Sequence, residues 1–226
     1  MKKKCICIIP ARGGSKRIKF KNLQIINKIP SIVHVIRIAK KSKIFDKIIV
    51  STDSKKIKLI SQKNNAHVYD LRKKELADDY IGTDEVLKYE LTKNKLQNYS
   101  YLACIYPTAV LLKVKDLKSA FKKFKKLRSK KLISVKEYES SPLRGYFLKN
   151  DMLKELDIHF QKSRSQDLKK FYFDSGYFYF YEINSFLKNK NLKSTFYILN
   201  KFSNYDINEN NDLIFIKKNF KFLKKI

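Results

Sequence analysis

The unbroken apolar run at residues 5–9, halted by Pro10, constrains this chain more than any other feature of its sequence. A strand that is apolar at every position has both faces covered, as strands of parallel sheets do. Pro10 has no amide hydrogen for a ladder, so the strand must end there. Further strand-like runs lie at residues 47–51, 66–69, 101–106 and 131–136. Stretches with helical spacing separate them. Ile32, Val35, Ile36 and Ala39 mark a helix over 30–43, and a shorter one spans 54–63. Val86, Leu87, Glu90 and Leu91 follow in a helix that Thr83 could cap, and Leu117, Ala120, Phe121, Phe124 and Leu127 form one stripe within 116–127. This alternation predicts an α/β fold around a mostly parallel, right-handed sheet.

Residues 137–170 interrupt the rhythm and read as an insertion that covers a site or reaches a partner subunit. The strand at 177–181 is aromatic on both faces, a pattern for core packing, and another strand follows at 195–199. A last helix, from about Glu209, has Leu213, Ile216, Phe220 and Leu223 on one stripe and is expected to dock on the sheet. No repeat or flexible linker divides the 226 residues, which read as a single domain, 1–226.

Between the first strand and the helix expected at Pro30 lie about twenty residues, a length that compact domains usually reserve for function. Arg12, Gly13, Gly14, Ser15, Lys16, Arg17, Lys19, Lys21 and Asn22 fall there, with no acid before Asp46. The glycine pair would let the backbone take positive φ and approach a ligand. The spacing is neither a Walker A loop nor the dinucleotide fingerprint, which needs a third spaced glycine. Taken alone, the loop reads equally as a cradle for a polyanion such as a nucleoside triphosphate or as a lysine-rich surface turn. Asp53 also has two readings, as a ligand-facing group past a strand's carboxyl end or as a helix cap.

The net charge of +30 raises the question of nucleic acid. The lysines are spread over every segment rather than gathered in a stripe, so they read as solvated faces, and no nucleic-acid partner is expected. Their field should favour anionic substrates. No run is long enough for a membrane span, and the start lacks the apolar length and cleavage site of a signal peptide, so a cytoplasmic location is expected. Cys5, Cys7 and Cys104 sit in apolar runs without metal-site spacing and read as core thiols. His34, His67 and His159 are scattered and form no motif.

Ile9-Pro10-Ala11-Arg12-Gly13-Gly14-Ser15-Lys16, followed by Lys21-Asn22, resembles the nucleotide loop of cytidylyltransferases that activate nonulosonic acids, the CMP-sialic acid synthetase family. Val50-Ser51-Thr52-Asp53, the stretch from Glu75 to Thr83, Ile105-Tyr106-Pro107-Thr108-Ala109, Arg164-Ser165-Gln166-Asp167-Leu168 and Asp206-Ile207-Asn208 extend the resemblance in order along the chain. The forms at Tyr106 to Thr108 and Arg164 to Leu168 look most like the pseudaminic acid branch. Sialic acid enzymes usually have Gln before the Pro-Thr. The resemblance implies a three-layer, Rossmann-like nucleotidyltransferase fold with a mostly parallel sheet and a small insertion around 137–170. It also implies transfer from CTP to an acidic nine-carbon sugar, with Mg²⁺ as cofactor and a homodimer as the assembly. Legionaminic or N-acetylneuraminic acid are the alternative sugars, and a non-catalytic nucleotide- or sugar-binding relative is the alternative class.

By this resemblance Ala11, Arg12, Gly13, Ser15, Lys21, Asn22, Arg72 and Thr83 serve the nucleotide, with Arg12, Lys21 and Asp206 catalytic. Arg72 alone would read equally as a surface salt bridge. Tyr106, Thr108, Arg144, Arg164, Gln166 and Asp174 serve the sugar, where an arginine fork can bind a carboxylate bidentately. Asp78 and Asp79 are candidates for the site or for loop geometry. Asp206 and Asn208 would hold the metal. Asn208 stands where the family has a second aspartate, and an amide oxygen brings no charge, so weaker metal binding is expected. Lys19-Phe20 and Lys73 also depart from the family, which often has proline there.

Overall fold

The structure, a computed structural model, describes residues 4–78, 80–188, 192, 194–200 and 205–225; Asp79 lies outside the described residues. The apolar run becomes β1 (Cys5–Pro10), in which Cys5 to Ile9 are all fully buried. A short hairpin, β2 (Ile25–Ile26) and β3 (Ile29–Pro30), leads to α1 (Ser31–Ser42), with Pro30 just outside the helix. The alternation then proceeds through β4 (Lys47–Ser51), α2 (Lys55–Lys63), α3 (Thr83–Lys93), β5 (Tyr101–Ile105), α4 (Val114–Lys126) and β6 (Lys131–Glu137). The insertion holds a separate hairpin, β7 (Tyr146–Lys149) and β8 (Met152–Glu155). β9 (Tyr172–Glu182), α5 (Ile183–Lys188), β10 (Ser194–Ile198) and α6 (Asn210–Lys225) follow.

The sheet order is β10-β6-β9-β5-β1-β4. β4 and β5 flank β1 in parallel, and β10 pairs with β6 in parallel. Because side chains alternate along a strand, β1 serves two cores. Cys7 and Ile9 pack with Ile32 and Ile36 of α1 and Leu117 and Phe124 of α4. Ile6 and Ile8 pack with Leu87 and Leu91 of α3 and Phe186 of α5. Helices on both faces of a mostly parallel sheet make the three layers expected of the chain.

Four details differ from the sequence reading. Residues 66–69 form no strand; they make one isolated parallel bridge, His67 to Ile49, at the sheet's edge. β9 starts at Tyr172 and runs antiparallel between β5 and β6, with a register shift between Ile133 and Val135 opposite it. α5 was not anticipated. The fourth concerns α6, whose stripe of Leu213, Ile216, Phe220 and Leu223 packs on Ile18, Ile26, Val110, Leu111 and Ile207. None of these partners belongs to the six-stranded sheet. The last helix therefore braces the long loop after β1, because Ile18 and Ile26 supply the apolar surface its stripe requires.

That arrangement half-buries Lys224, whose Nζ donates to the Leu112 carbonyl at 2.9 Å. Burial, then Lys113 and Lys41 nearby, push its pKa down from 10.5 to about 8. Between those limits the unfolded chain holds the extra proton, so this group makes stability rise as pH climbs from about 8 towards 10. Subtracting the pH profile of Lys224→Met in urea melts should isolate a rise on the order of 2 kcal/mol. Identical profiles would contradict it. Among the described residues no helix is long and apolar enough to cross a membrane, and all three cysteines are buried and free.

Candidate active site

A cleft of about 600 Å³ opens at the carboxyl ends of β1 and β5. Ligands of open α/β sheets bind at such ends. The loop after β1 forms one wall. Ala11 N donates to Ser51 O at 2.8 Å, so the loop leaves the sheet tied to the end of β4. Gly13 N donates to Asp53 Oδ1 at 2.7 Å, and a Cβ at Gly13 would lie 2.8 Å from Ser54 Cβ. Neither glycine of the pair has positive φ; among the described glycines only Gly176 does, at 62°. Gly13 is thus required for close packing against the turn after β4. Asp53 holds the loop, while Ser54 caps α2 by accepting from Ile57 N. Gly13→Ala should cost about 1–3 kcal/mol by overpacking, as denaturant melts would show.

The loop returns on itself through Asn22, whose Nδ2 donates to the Arg12 carbonyl at 2.9 Å. Lys21 follows Phe20, which takes the left-handed conformation at φ 54°. Arg12, Ser15, Lys16, Arg17, Lys21 and Asn22 all line the cleft. Burial lowers the pKa of Lys21, and Asp206 opposes that shift most strongly. Asp206 comes from the segment before α6 and sits on the facing wall with Asn208. Its Oδ1 accepts from Ile207 N at 2.8 Å, and its Oδ2 lies where a Cβ on Gly176 would come within 3.8 Å. Asp212 Oδ2 accepts from the amides of Asn208 and Glu209, which fixes Asn208 at the start of α6.

Arg72 is no surface salt bridge. It is 7 % exposed, with Nε on Ser51 Oγ, Nη2 on Ser51 O and Nη1 on Leu76 O. Burial depresses its pKa, and Asp53 and Glu90 counter that. Thr83 does not cap α3 either, since Gly82 occupies the cap. Its hydroxyl instead pairs with Tyr106 at 2.6 Å, and both face the cleft. Burial pushes the Tyr106 phenol up to about 12, so it stays protonated at neutral pH. Tyr179, which the sequence suggested only as core, also lines the cleft. Its hydroxyl donates to Asp174, and its ring meets that of Tyr106 at 5.8 Å.

Ten expected site residues therefore converge: Arg12, Ser15, Lys21, Asn22, Arg72, Thr83, Tyr106, Thr108, Asp206 and Asn208 all line the cleft. Ala11 lies buried behind it, and Gly13 faces the turn after β4. Asp174 borders an adjoining hollow with Asp206 and Asn208. Asp78 also lines the cleft. Arg144, Arg164 and Gln166 do not line it; they are exposed on the insertion, where Arg144 Nη1 donates to Ser165 Oγ at 3.1 Å. Lys16 and Arg17, read from sequence only as loop charge, and Tyr179 are additions to the site, whereas Asp53 holds the loop without lining the cleft. Cations facing a carboxylate and an amide oxygen suit a polyphosphate, with a hard cation between.

A cytidylyltransferase family model matches residues 6–221. A pseudaminic acid cytidylyltransferase of Campylobacter jejuni is 40 % identical over 180 residues, covering 78 % of each chain. A Helicobacter pylori protein, pseudaminic acid cytidylyltransferase and UDP-2,4-diacetamido-2,4,6-trideoxy-beta-L-altropyranose hydrolase, is 33 % identical over 81 % of this chain and 35 % of its own length. A solved CMP:2-keto-3-deoxy-manno-octonic acid synthetase complexed with CTP shares the fold at TM-score 0.75 and 13 % identity, over 97 % of this chain and 99 % of its own. The chain belongs to the cytidylyltransferase family, as the match across nearly its whole length and the identity to its relatives establish.

Proposed function

We propose that this cytidylyltransferase activates an acidic nine-carbon sugar, pseudaminic acid, with CTP. The anomeric hydroxyl oxygen bonds to the α-phosphorus, the bond from that phosphorus to the β-phosphate bridge breaks, and pyrophosphate and the hydroxyl proton leave. The 40 % identity to a pseudaminic acid cytidylyltransferase over 78 % of both chains is the observation that carries this reading. The cleft agrees with it chemically. A carboxylated nucleophile and a triphosphate repel one another, and Arg12, Lys16, Arg17 and Lys21 provide the opposing charge. Tyr106 and Thr108 lie at the carboxyl end of β5, on the side assigned to the sugar.

Asp206 fits Mg²⁺, which commonly takes one or two carboxylates completed by phosphate and water, and Asn208 offers an amide oxygen to the same cleft. The ion would neutralise phosphate charge when bound. Arg144, Arg164 and Gln166 are assigned to the cleft of a second copy in a homodimer. The hairpin they accompany is exposed throughout and apolar at Leu148 and Leu153, 75 % and 64 % accessible. Light scattering should find the dimer. The buried, unpaired thiols suit a cytoplasmic location.

Pyrophosphate release from CTP should require pseudaminic acid and exceed that with legionaminic or N-acetylneuraminic acid. Preference for another of the three would replace the sugar. Release with none would refute the enzymatic reading.

A further inference from the structure

Among the described residues, one carboxylate and one guanidinium are buried: Glu90 at 6 % exposure and Arg72 at 7 %. In a chain with 51 basic and 21 acidic residues, that coincidence is unlike the surface charge. Ser51 joins the two. Its Oγ donates to Glu90 Oε1 at 2.6 Å and accepts from Arg72 Nε at 3.2 Å. An ionised carboxylate can only accept, so Glu90 dictates which way the hydroxyl points and leaves its lone pair for Arg72. Asn94 Nδ2 donates to Glu90 Oε2 at 2.8 Å and steadies the carboxylate within α3. The Ser51 carbonyl accepts from Arg72 Nη2 at 2.6 Å and from Ala11 N at 2.8 Å. One residue at the end of β4 thus ties together Glu90, Arg72 and the root of the loop after β1.

We infer that Glu90 is a positioning residue for the nucleotide end of the cleft, acting through the Ser51 hydroxyl on the Arg72 guanidinium. An alanine in place of Glu90 would leave that hydroxyl free to turn its proton towards Arg72, whose guanidinium has no lone pair to accept it. The guanidinium would then lose one of its fixed partners while its place in the cleft wall depended on the rest. This rests on the reading of Arg72 as a nucleotide-side group. It goes beyond that reading in giving a remote, buried acid control over CTP affinity but not over the sugar.

The test measures steady-state constants, CTP affinity by calorimetry and melting temperature for five variants. Glu90→Ala should raise the CTP KM and dissociation constant about five- to tenfold, the equivalent of one lost hydrogen bond. The sugar KM should not move. Glu90→Gln keeps an acceptor for Ser51 and should recover most of the CTP affinity. Ser51→Ala should match Glu90→Ala, and the double variant should add little, because both break one chain of bonds. An unchanged CTP affinity in Glu90→Ala overturns the inference, as does an equal loss in both KM values and kcat that follows melting temperature. If Glu90→Ala does not fold, unchanged CTP affinity in Ser51→Ala overturns it. Arg72→Ala separates the two levels. Unchanged CTP affinity there overturns the assignment of Arg72 itself, and the relay with it, whereas weakened affinity there beside an unaffected Glu90→Ala refutes the relay alone.

Discussion

Replacing Lys21 with methionine is expected to lower kcat/KM for pyrophosphate release by about 10²- to 10³-fold, the usual loss of one well-placed stabilising group. Methionine keeps an unbranched apolar stem, so the packing of the side chain's base should survive and melting temperature should change little. The expected loss comes from position. Lys21 begins a short turn, Lys21–Leu23, and its carbonyl accepts from Ser31 Oγ at 3.1 Å. Its ammonium is half-buried within the fields of Asp206, Arg17, Asp212 and Arg12. A cation held there is already in place when charge builds on the transferring phosphate, and it offsets the repulsion between the two anionic substrates. If it acts mainly in the transition state, kcat should fall more than the CTP KM rises. Burial lowers the pKa of Lys21 from 10.5, so the protonated form is lost at lower pH than for a free lysine. The alkaline limb of the wild-type rate profile should then lie below 10.5 and be absent from the variant's residual rate. A variant with near-normal kcat/KM would remove Lys21 from the reacting centre.

The loop that holds Lys21 was legible because its chemistry is local. An apolar strand, a proline stop, two glycines and a run of cations are adjacent in sequence, and the adjacency survives folding. β1, α1 and α4 were legible for a related reason, since their periodicities report which faces are buried. Periodicity is silent on what covers a face or which way a strand runs. The stripe on α6 has correct spacing for a buried face, yet its cover is Ile18 and Ile26 rather than the sheet. β9 has the aromatic composition of a core strand, but only long-range pairing reveals that it lies antiparallel between β5 and β6. Tyr179 was hidden by the same strand, because a residue two places from buried Tyr177 shares its face in an ideal ladder. The register shift between Ile133 and Val135 breaks that alternation, so Tyr177 packs in the core with Phe178 and Phe180 while Tyr179 packs on the other face beside Tyr106. Gly13 shows a subtler limit. Its smallness is visible in sequence, but the reason is Ser54, forty-one positions away in the chain yet only 2.8 Å from an added Cβ. Asp53 had two equally good readings until the amide of Gly13 supplied its partner.

Asp206→Asn should reduce turnover by about 10²-fold or more, since it removes the carboxylate facing Lys21 and the charged oxygen offered to a metal. The side chain is held for that duty. Tyr177 donates its hydroxyl to the Tyr205 carbonyl at 3.0 Å, and the Ile207 amide binds Asp206 Oδ1, leaving Oδ2 beside Gly176. The backbone at Gly176 has φ of 62°, a left-handed conformation that favours glycine, whereas a Cβ there would meet that oxygen only at an ordinary contact distance. The neighbouring amide makes a complementary test possible. Asn208 is fixed by its backbone to Asp212, so Asn208→Asp changes charge without disturbing the cap on α6. One added carboxylate at a hard-cation site should lower the Mg²⁺ concentration for half-maximal effect by about tenfold, the ratio given by 1.4 kcal/mol. Mn²⁺ binding to the CTP complex, followed by electron paramagnetic resonance, reads the same change without turnover. A shift in metal affinity with unchanged kcat would mean that the native amide weakens binding but not the transfer itself. If neither moves, Asn208 is no ligand, and Asp206 with the phosphates must hold the ion without it.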